Sequence, residues 1–176
     1  MSMEQRIKNV IRDIPDFPKP GILFKDITPI MMDAELSKEV VEHLKNTYSN
    51  QGLTKIVGIE SRGFLFGFPL AMALNIPFVL IRKSGKLPYK KISHSYDLEY
   101  GSATIEIHED ALLPGDKVLI HDDLLATGGS AEAAAKLVTE TGAEVAGFSF
   151  LIGLEFLNGE EKLTRFSENI SILASY

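Results

Sequence analysis

The stretch Val118-Leu119-Ile120-His121-Asp122-Asp123-Leu124-Leu125-Ala126-Thr127-Gly128-Gly129-Ser130-Ala131-Glu132-Ala133-Ala134-Ala135 decides how this chain is read. An apolar run, Val118 to Ile120, has the composition of a buried strand and meets an acidic pair, Asp122 and Asp123. A short apolar step, a Thr-Gly-Gly-Ser turn and an Ala-rich helical pattern follow, with Ala131, Ala134, Ala135 and Val138 on one helix face. That order puts two carboxylates at the carboxyl end of a strand, beside the unpaired N–H groups of a helix start. Such a place can hold a sugar's hydroxyls and its phosphate together.

Working outward, the same alternation continues on both sides. Glu4 to Ile11 reads as a short helix, stopped by Pro15, Pro18 and Pro20-Gly21. Helical spacing returns from Leu36 through Val40, Val41, Leu44 and Tyr48. Lys55 to Ile59 and Phe78 to Ile81 read as buried strands around a helix over 64–74, and Val145 to Leu154 as a later strand. Strands alternating with helices, and apolar on both faces, predict an α/β fold with a mainly parallel twisted sheet flanked by helices. Ligands on such sheets bind beyond the carboxyl ends of the strands. The loops there are Glu60–Gly63, Arg82–Lys86 and Asp122–Ser130. Between Ser84 and Pro114 the pattern breaks; Ser93–Tyr100 and Ala103–Ile107, around Gly101, predict an antiparallel hairpin or flap. The tail from Phe156 reads as a short helix and a last strand. Without an internal repeat or linker, the 176 residues are expected to form a single domain.

Composition narrows the function classes. A net charge of −6 argues against a nucleic-acid or membrane-surface binder. The absence of cysteine excludes disulfides, thiolate metal sites and thiol catalysis. The uncharged stretch 64–81 is interrupted by Gly67, Pro69, Asn75 and Pro77, which favours helix, turn and core strand over a membrane span. The opening segment, MSMEQRIKNV, has a polar helical pattern and not that of a signal peptide. A soluble, cytoplasmic protein is the expectation.

The loops carry the chemistry. In Ala126-Thr127-Gly128-Gly129-Ser130 the two glycines let backbone amides converge, Thr127 and Ser130 add hydroxyls, and the helix start adds partial positive charge. A phosphate monoester suits this turn, and so does a plain strand–helix connection capped by Ser or Thr. No Lys follows the glycines, so it is not the nucleoside-triphosphate loop, and one Gly-Gly pair is not the dinucleotide fingerprint. Neighbouring side chains on a strand point to opposite faces, so Asp122 and Asp123 share a pocket only if the backbone turns between them. If one turns out of the strand, it can accept bonds from vicinal hydroxyls; otherwise the two are a solvated pair. Arg82, Lys83, Lys86, Lys90 and Lys91 put five cations within ten residues of an acidic chain, which suits a polyanion such as pyrophosphate or, more blandly, a solvated face. Arg62 can join that cluster or make a surface salt bridge. His43, His94, His108 and His121 have no metal-ligand spacing; structural roles suit them, with His121 also placed beside the acids.

Val118–Ala134 resembles the phosphoribosyl-pyrophosphate motif of type I phosphoribosyltransferases. Phe17-Pro18-Lys19-Pro20-Gly21-Ile22-Leu23-Phe24-Lys25-Asp26-Ile27, Gly58-Ile59-Glu60-Ser61-Arg62-Gly63-Phe64-Leu65-Phe66-Gly67, Ile81-Arg82-Lys83-Ser84-Gly85-Lys86-Leu87-Pro88 and Leu98-Glu99-Tyr100-Gly101 are similar to the adenine-using branch of that family. The resemblance runs from about residue 4 to about residue 165. It implies transfer of the 5-phosphoribosyl group of phosphoribosyl pyrophosphate to adenine, giving AMP and pyrophosphate, with Mg²⁺ on the pyrophosphate and a homodimer as the working unit. It also implies a small hood, drawn from residues 1–35 and the C-terminal tail, and a flap over about 84–113.

The roles it implies are specific. Asp122 and Asp123 bind the ribose hydroxyls, and Ala126, Thr127, Gly128, Gly129 and Ser130 cradle the 5′-phosphate. Arg62, Arg82, Lys83 and Lys86 face pyrophosphate, some of them across the dimer. Leu23, Phe24 and Lys25 meet adenine, largely through backbone groups. Glu99 and Tyr100 ride on the closing loop, with Glu99 handling the purine proton. This chain departs from the family pattern at His121, where an apolar residue is commoner, at Ser130, where Thr is commoner, and at Tyr89-Lys90-Lys91, where Gly is frequent. Two other readings remain at this stage: an enzyme of the same class using xanthine, hypoxanthine or orotate, and a non-catalytic regulator sensing the same ligand.

Overall fold

The computed structural model describes residues 1–97 and 101–176. Helix α1 (Met3–Val10) begins at a capping box, in which Ser2 and Gln5 exchange side-chain and backbone bonds. Two short strands, β1 (Arg12–Pro15) and β2 (Leu23–Asp26), then pair antiparallel as a separate ribbon. After α2 (Thr28–Met32), helix α3 (Ala34–Tyr48) is started by the Asp33 side chain and buries Leu36, Val40, Leu44 and Tyr48, the stripe seen in the sequence. The core units follow: β3 (Lys55–Ile59), α4 (Gly63–Leu74), β4 (Phe78–Lys83), the hairpin β5 (Lys91–Asp97) and β6 (Ser102–His108), then β7 (Lys117–Leu125), α5 (Gly129–Glu140) and β8 (Glu144–Gly153). Two 3₁₀ turns (Glu155–Leu157 and Gly159–Lys162) lead to β9 (Ile170–Ser175).

Seven strands form the main sheet in the order β5-β6-β4-β3-β7-β8-β9. From β4 to β9 neighbouring strands are parallel, and the hairpin adds an antiparallel edge through β6. One apolar cluster lies under α5, with Val57, Ile120, Leu137 and Phe148; the other lies under α3 and α4, with Leu44, Ile56, Leu70 and Leu119. The chain places β4 on one side of β3 and later returns to place β7 on the other. The carboxyl ends of β3 and β7 therefore flank the switch point where such sheets open a crevice.

Two expectations need adjustment. The C-terminal tail, expected in the hood, gives its strand to the main sheet: β9 pairs with β8, because the Ile170–Ala174 side chains are needed to cover that edge. β9 also packs against α1, with Ile7 beside Leu173 and Ala174 in one apolar cluster, and at its tip Lys25 Nζ lies 4.1 Å from the Tyr176 ring centroid. The third core strand, read as ending at Ile120, continues to Leu125, since β8 pairs with it as far as Leu125–Gly153 while β3 stops at His121. Among the described residues no helix is long and apolar enough to cross a membrane.

Candidate active site at the switch point

A cavity of about 330 Å³ opens at the carboxyl ends of β3, β4 and β7. Its floor is the segment 122–131; Glu60, Arg62 and Lys83 stand on one side, and Tyr96, Ala103 and Ile105 of the hairpin on another.

Asp122 and Asp123 both line it, although they are adjacent on a strand. The packing shows how. Ile120 and Leu125, five residues apart, lie in one apolar cluster, and Leu119 and Leu124, also five apart, pack with the other. Strict alternation would send residues five apart to opposite faces, so the strand changes its facing by one residue between Ile120 and Leu124. At that shift the Asp123 N–H donates to Asp122 Oδ1 at 2.8 Å. Gly63 permits it: a Cβ there would lie 2.7 Å from the His121 carbonyl and 3.2 Å from Asp122 Oδ1.

Electrostatics follow from this crowding. Burial and then the neighbouring Asp123 charge hold Asp122 well above the usual carboxylate range. Burial also raises Asp123, against the pull of Arg62, whose Nε stands 3.0 Å from Asp123 Oδ2. No aligned hydrogen bond reaches that oxygen, which is buried. The site thus holds an acid pair whose charged form is under-solvated and short of donors.

Beyond the acids, α5 starts at Gly128, in the left-handed region (φ +78°), with no side-chain cap. The reading of this turn as a Ser- or Thr-capped connection is therefore replaced by an open helix end. The first helical bond runs from Glu132 N–H to the Gly128 carbonyl, so the amides of Gly129, Ser130 and Ala131 lie outside the helix's own bonding. Gly159 packs so close to this turn that a Cβ at Gly128 would lie 2.5 Å from its carbonyl oxygen.

The cations are less free than the sequence suggested. Glu60 accepts from Lys86 Nζ (2.6 Å), the Lys83 N–H (2.7 Å) and Arg82 Nε (3.3 Å). Burial works to raise the Glu60 carboxyl, but Lys86, the Lys83 amide and Arg82 outweigh it and bring it to about 2. Glu106 takes Ser84, the Gly85 N–H and Lys91 in the same way, and Glu109 lies 3.7 Å from Lys90. Arg62 and Lys83 line the cavity; Arg82 and Lys86 turn to Glu60 at its rim.

The β1–β2 ribbon reaches the site through Phe24, whose ring lies 5.4 Å from the Arg62 guanidinium carbon. Leu23 is exposed, and Lys25 is held by Asp13 at 2.7 Å. Neither lines the cavity described above, but β2 has a strand partner on one side only. Glu99 and Tyr100 lie outside the described residues. His121 is a core residue: it is fully buried, and its Nδ1 meets Ser149 Oγ at 3.1 Å. Glu60 and Tyr96 were not singled out in the sequence. An acid directly after a buried strand and ahead of Arg62 was the available signal for Glu60; Tyr96 had only its inward place in an alternating strand.

Comparison with known proteins decides the family. Residues 30–164 match the phosphoribosyl transferase domain. The chain belongs to the phosphoribosyl transferase family. Within it, similarity concentrates on adenine phosphoribosyltransferases. The one from Myxococcus xanthus is 51% identical, covering 94% of this chain and 89% of that protein. The one from Cytophaga hutchinsonii is 49% identical, over 99% and 96%. The solved adenine phosphoribosyltransferase of Thermoanaerobacter pseudethanolicus superposes with a TM-score of 0.93 at 48% identity, covering 98% of this chain and 99% of that one. The Saccharomyces cerevisiae enzyme, solved with an iminoalditol bisphosphate and adenine, gives 0.90 at 40% identity, over 97% and 98%. The mixed sheet flanked by helices is thus the fold of these solved structures.

Proposed function

We propose that this protein transfers the 5-phosphoribosyl group of phosphoribosyl pyrophosphate to adenine, releasing pyrophosphate and forming AMP. The observation that carries the reading is the facing shift in β7, which turns Asp122 and Asp123 into one cavity beside the open α5 start. The Trypanosoma brucei relative, 27% identical and with a TM-score of 0.90, was solved with AMP, pyrophosphate and ribose-5-phosphate, the ligand set this cavity suits.

The residues divide the work by charge. The amides of 128–131 and the hydroxyls of Thr127 and Ser130 hold the 5′-phosphate dianion. Asp122 and Asp123 bind the ribose hydroxyls, which donate to the carboxylate oxygens facing the cavity. As the bond to pyrophosphate breaks, positive charge develops on the sugar, and the carboxylates favour it. Arg62 and Lys83 stand on the side where the anion departs, with Arg82 and Lys86 behind them on Glu60. Phosphate at the cradle and pyrophosphate at the cations leave the third side, under Phe24, for the purine. The unpaired edge of β2 offers Leu23 and Lys25 backbone groups to its edge atoms. Glu99, two residues past β5, is assigned the N9 proton.

Mg²⁺ fits this oxygen-rich lining, where Asp123 Oδ2 lacks an aligned donor. It would be held mainly by the pyrophosphate and ribose oxygens, near Asp122 and Asp123, and would supply positive charge to the leaving group. We further assign a homodimer, because Leu65, Phe68 and Met72, at helical spacing on α4, and Leu80 of β4 are large apolar residues left exposed, which a second copy would cover. Sedimentation should give twice the chain mass, and a monomer at working concentration would refute this part.

One assay tests the activity: pyrophosphate release from phosphoribosyl pyrophosphate with adenine, hypoxanthine, xanthine, guanine and orotate in turn. Release with adenine alone is expected. Release with another base would correct the substrate, and none with any base would favour a sensor of the same ligand.

A further inference from the structure

The phosphate cradle has a neighbour that belongs to another element. The Tyr96 hydroxyl, from the last inward position of β5, lies 3.0 Å from Ser130 Oγ in the first turn of α5. Both residues line the cavity. The ring is held in place independently of that bond, since it packs against the apolar cluster under α5 and Tyr96 is paired in register with Ala103. The ring stands beside Gly129, where a Cβ would make ordinary contact with Tyr96 Cδ2 at 3.6 Å.

A serine hydroxyl has one proton, and its direction is set by its surroundings. To help bind an anion at the helix start, Ser130 must spend that proton on the anion, leaving its oxygen to accept. Either hydroxyl can donate across this contact; a phenol is a good donor, and with Tyr96 donating, the chain Tyr96 O–H to Ser130 Oγ–H to phosphate oxygen aligns both protons in one direction. Without a β-branch to limit its rotation, the Ser130 side chain depends on such a neighbour for its direction.

We propose that Tyr96 is a positioning residue of the phosphate cradle, directing the Ser130 hydroxyl toward the 5′-phosphate. This rests on reading 126–130 as that cradle. It also makes the flap hairpin part of sugar-phosphate binding, through the strand that leads toward Glu99.

The test is a double-mutant cycle of Tyr96→Phe and Ser130→Ala in the full-length protein. Its readouts are ribose 5-phosphate binding by calorimetry, steady-state kinetics and thermal unfolding. Tyr96→Phe should weaken ribose 5-phosphate and raise KM for phosphoribosyl pyrophosphate about fivefold, the weight of one neutral hydrogen bond. Its kcat and melting temperature should stay close to those of the wild type. In the Ser130→Ala background, Tyr96→Phe should have no further effect. Wild-type binding by Tyr96→Phe, additive losses in the double variant, or a fall in kcat without a change in KM would each overturn the proposal. If the wild-type protein itself fails to bind ribose 5-phosphate, the cradle reading falls, and this proposal with it.

Discussion

His121 gives a sharp prediction, because a titratable ring is sealed into the sheet directly below the acid pair. It is fully buried, its Nε2 has no hydrogen-bond partner among the described residues, and burial brings its pKa from 6.5 down to about 4. In the unfolded chain the imidazole takes up a proton as the pH falls through its ordinary value; in the fold it refuses that proton until about 4. Within the window the unfolded state binds more protons, so stability is intact above 6.5, declines as the pH drops, and is fully lost below about 4. At roughly 1.4 kcal/mol per pKa unit, the whole effect is about 3 kcal/mol, of which about 2.5 kcal/mol is expressed between pH about 7.5 and about 4.5. Urea unfolding of the wild type and His121→Leu at those two pH values, at one protein concentration, isolates the term. The wild type should lose about 2.5 kcal/mol more than the variant, whatever their absolute stabilities. Equal losses would show that His121 titrates as freely in the fold as outside it, and the argument from burial would fail.

Gly128→Ala puts a Cβ 2.5 Å from the Gly159 carbonyl oxygen at a φ of +78°. It should cost about 2 kcal/mol or more in urea unfolding and weaken ribose 5-phosphate binding; a variant as stable and as tight as the wild type would refute the assigned turn geometry. Asp123→Asn should weaken AMP binding by about tenfold or more in calorimetry, since it removes the counter-charge of Arg62 and a hydroxyl acceptor together. Unchanged binding would return the acids to a bland surface pair. Glu99→Ala should lower kcat by about 10²- to 10⁴-fold while leaving phosphoribosyl-pyrophosphate affinity little changed; near-normal single-turnover rates would remove Glu99 from the chemistry.

Much of this protein is local and therefore legible in sequence. The helix stripe of Leu36, Val40, Leu44 and Tyr48, the strands at Lys55 and Phe78, and the strand–turn–helix around Gly128-Gly129 follow from periodicity and turn chemistry, and the structure has each of them, although the strand at Phe78, read as buried, is half-exposed near the hairpin side of the sheet. Those short-range rules also identify the loops at the strand ends, and with them the turn proposed to hold the phosphate. Partnership at long range is different. Glu60 meets Arg82 and Lys86 more than twenty residues away, so a cluster that reads as free positive charge is largely balanced in the fold. Tyr96 reaches Ser130 across 34 residues for the same reason. The tail strand's place beside β8 depends on which sheet edge is left uncovered. Most telling is the acid pair: sequence alone determines that two carboxylates follow a buried strand, and period-two alternation would part them. Only tertiary packing decides that they face one cavity, because β3 releases β7 at His121 while β8 holds it to Leu125, leaving room for the backbone to shift its facing between them.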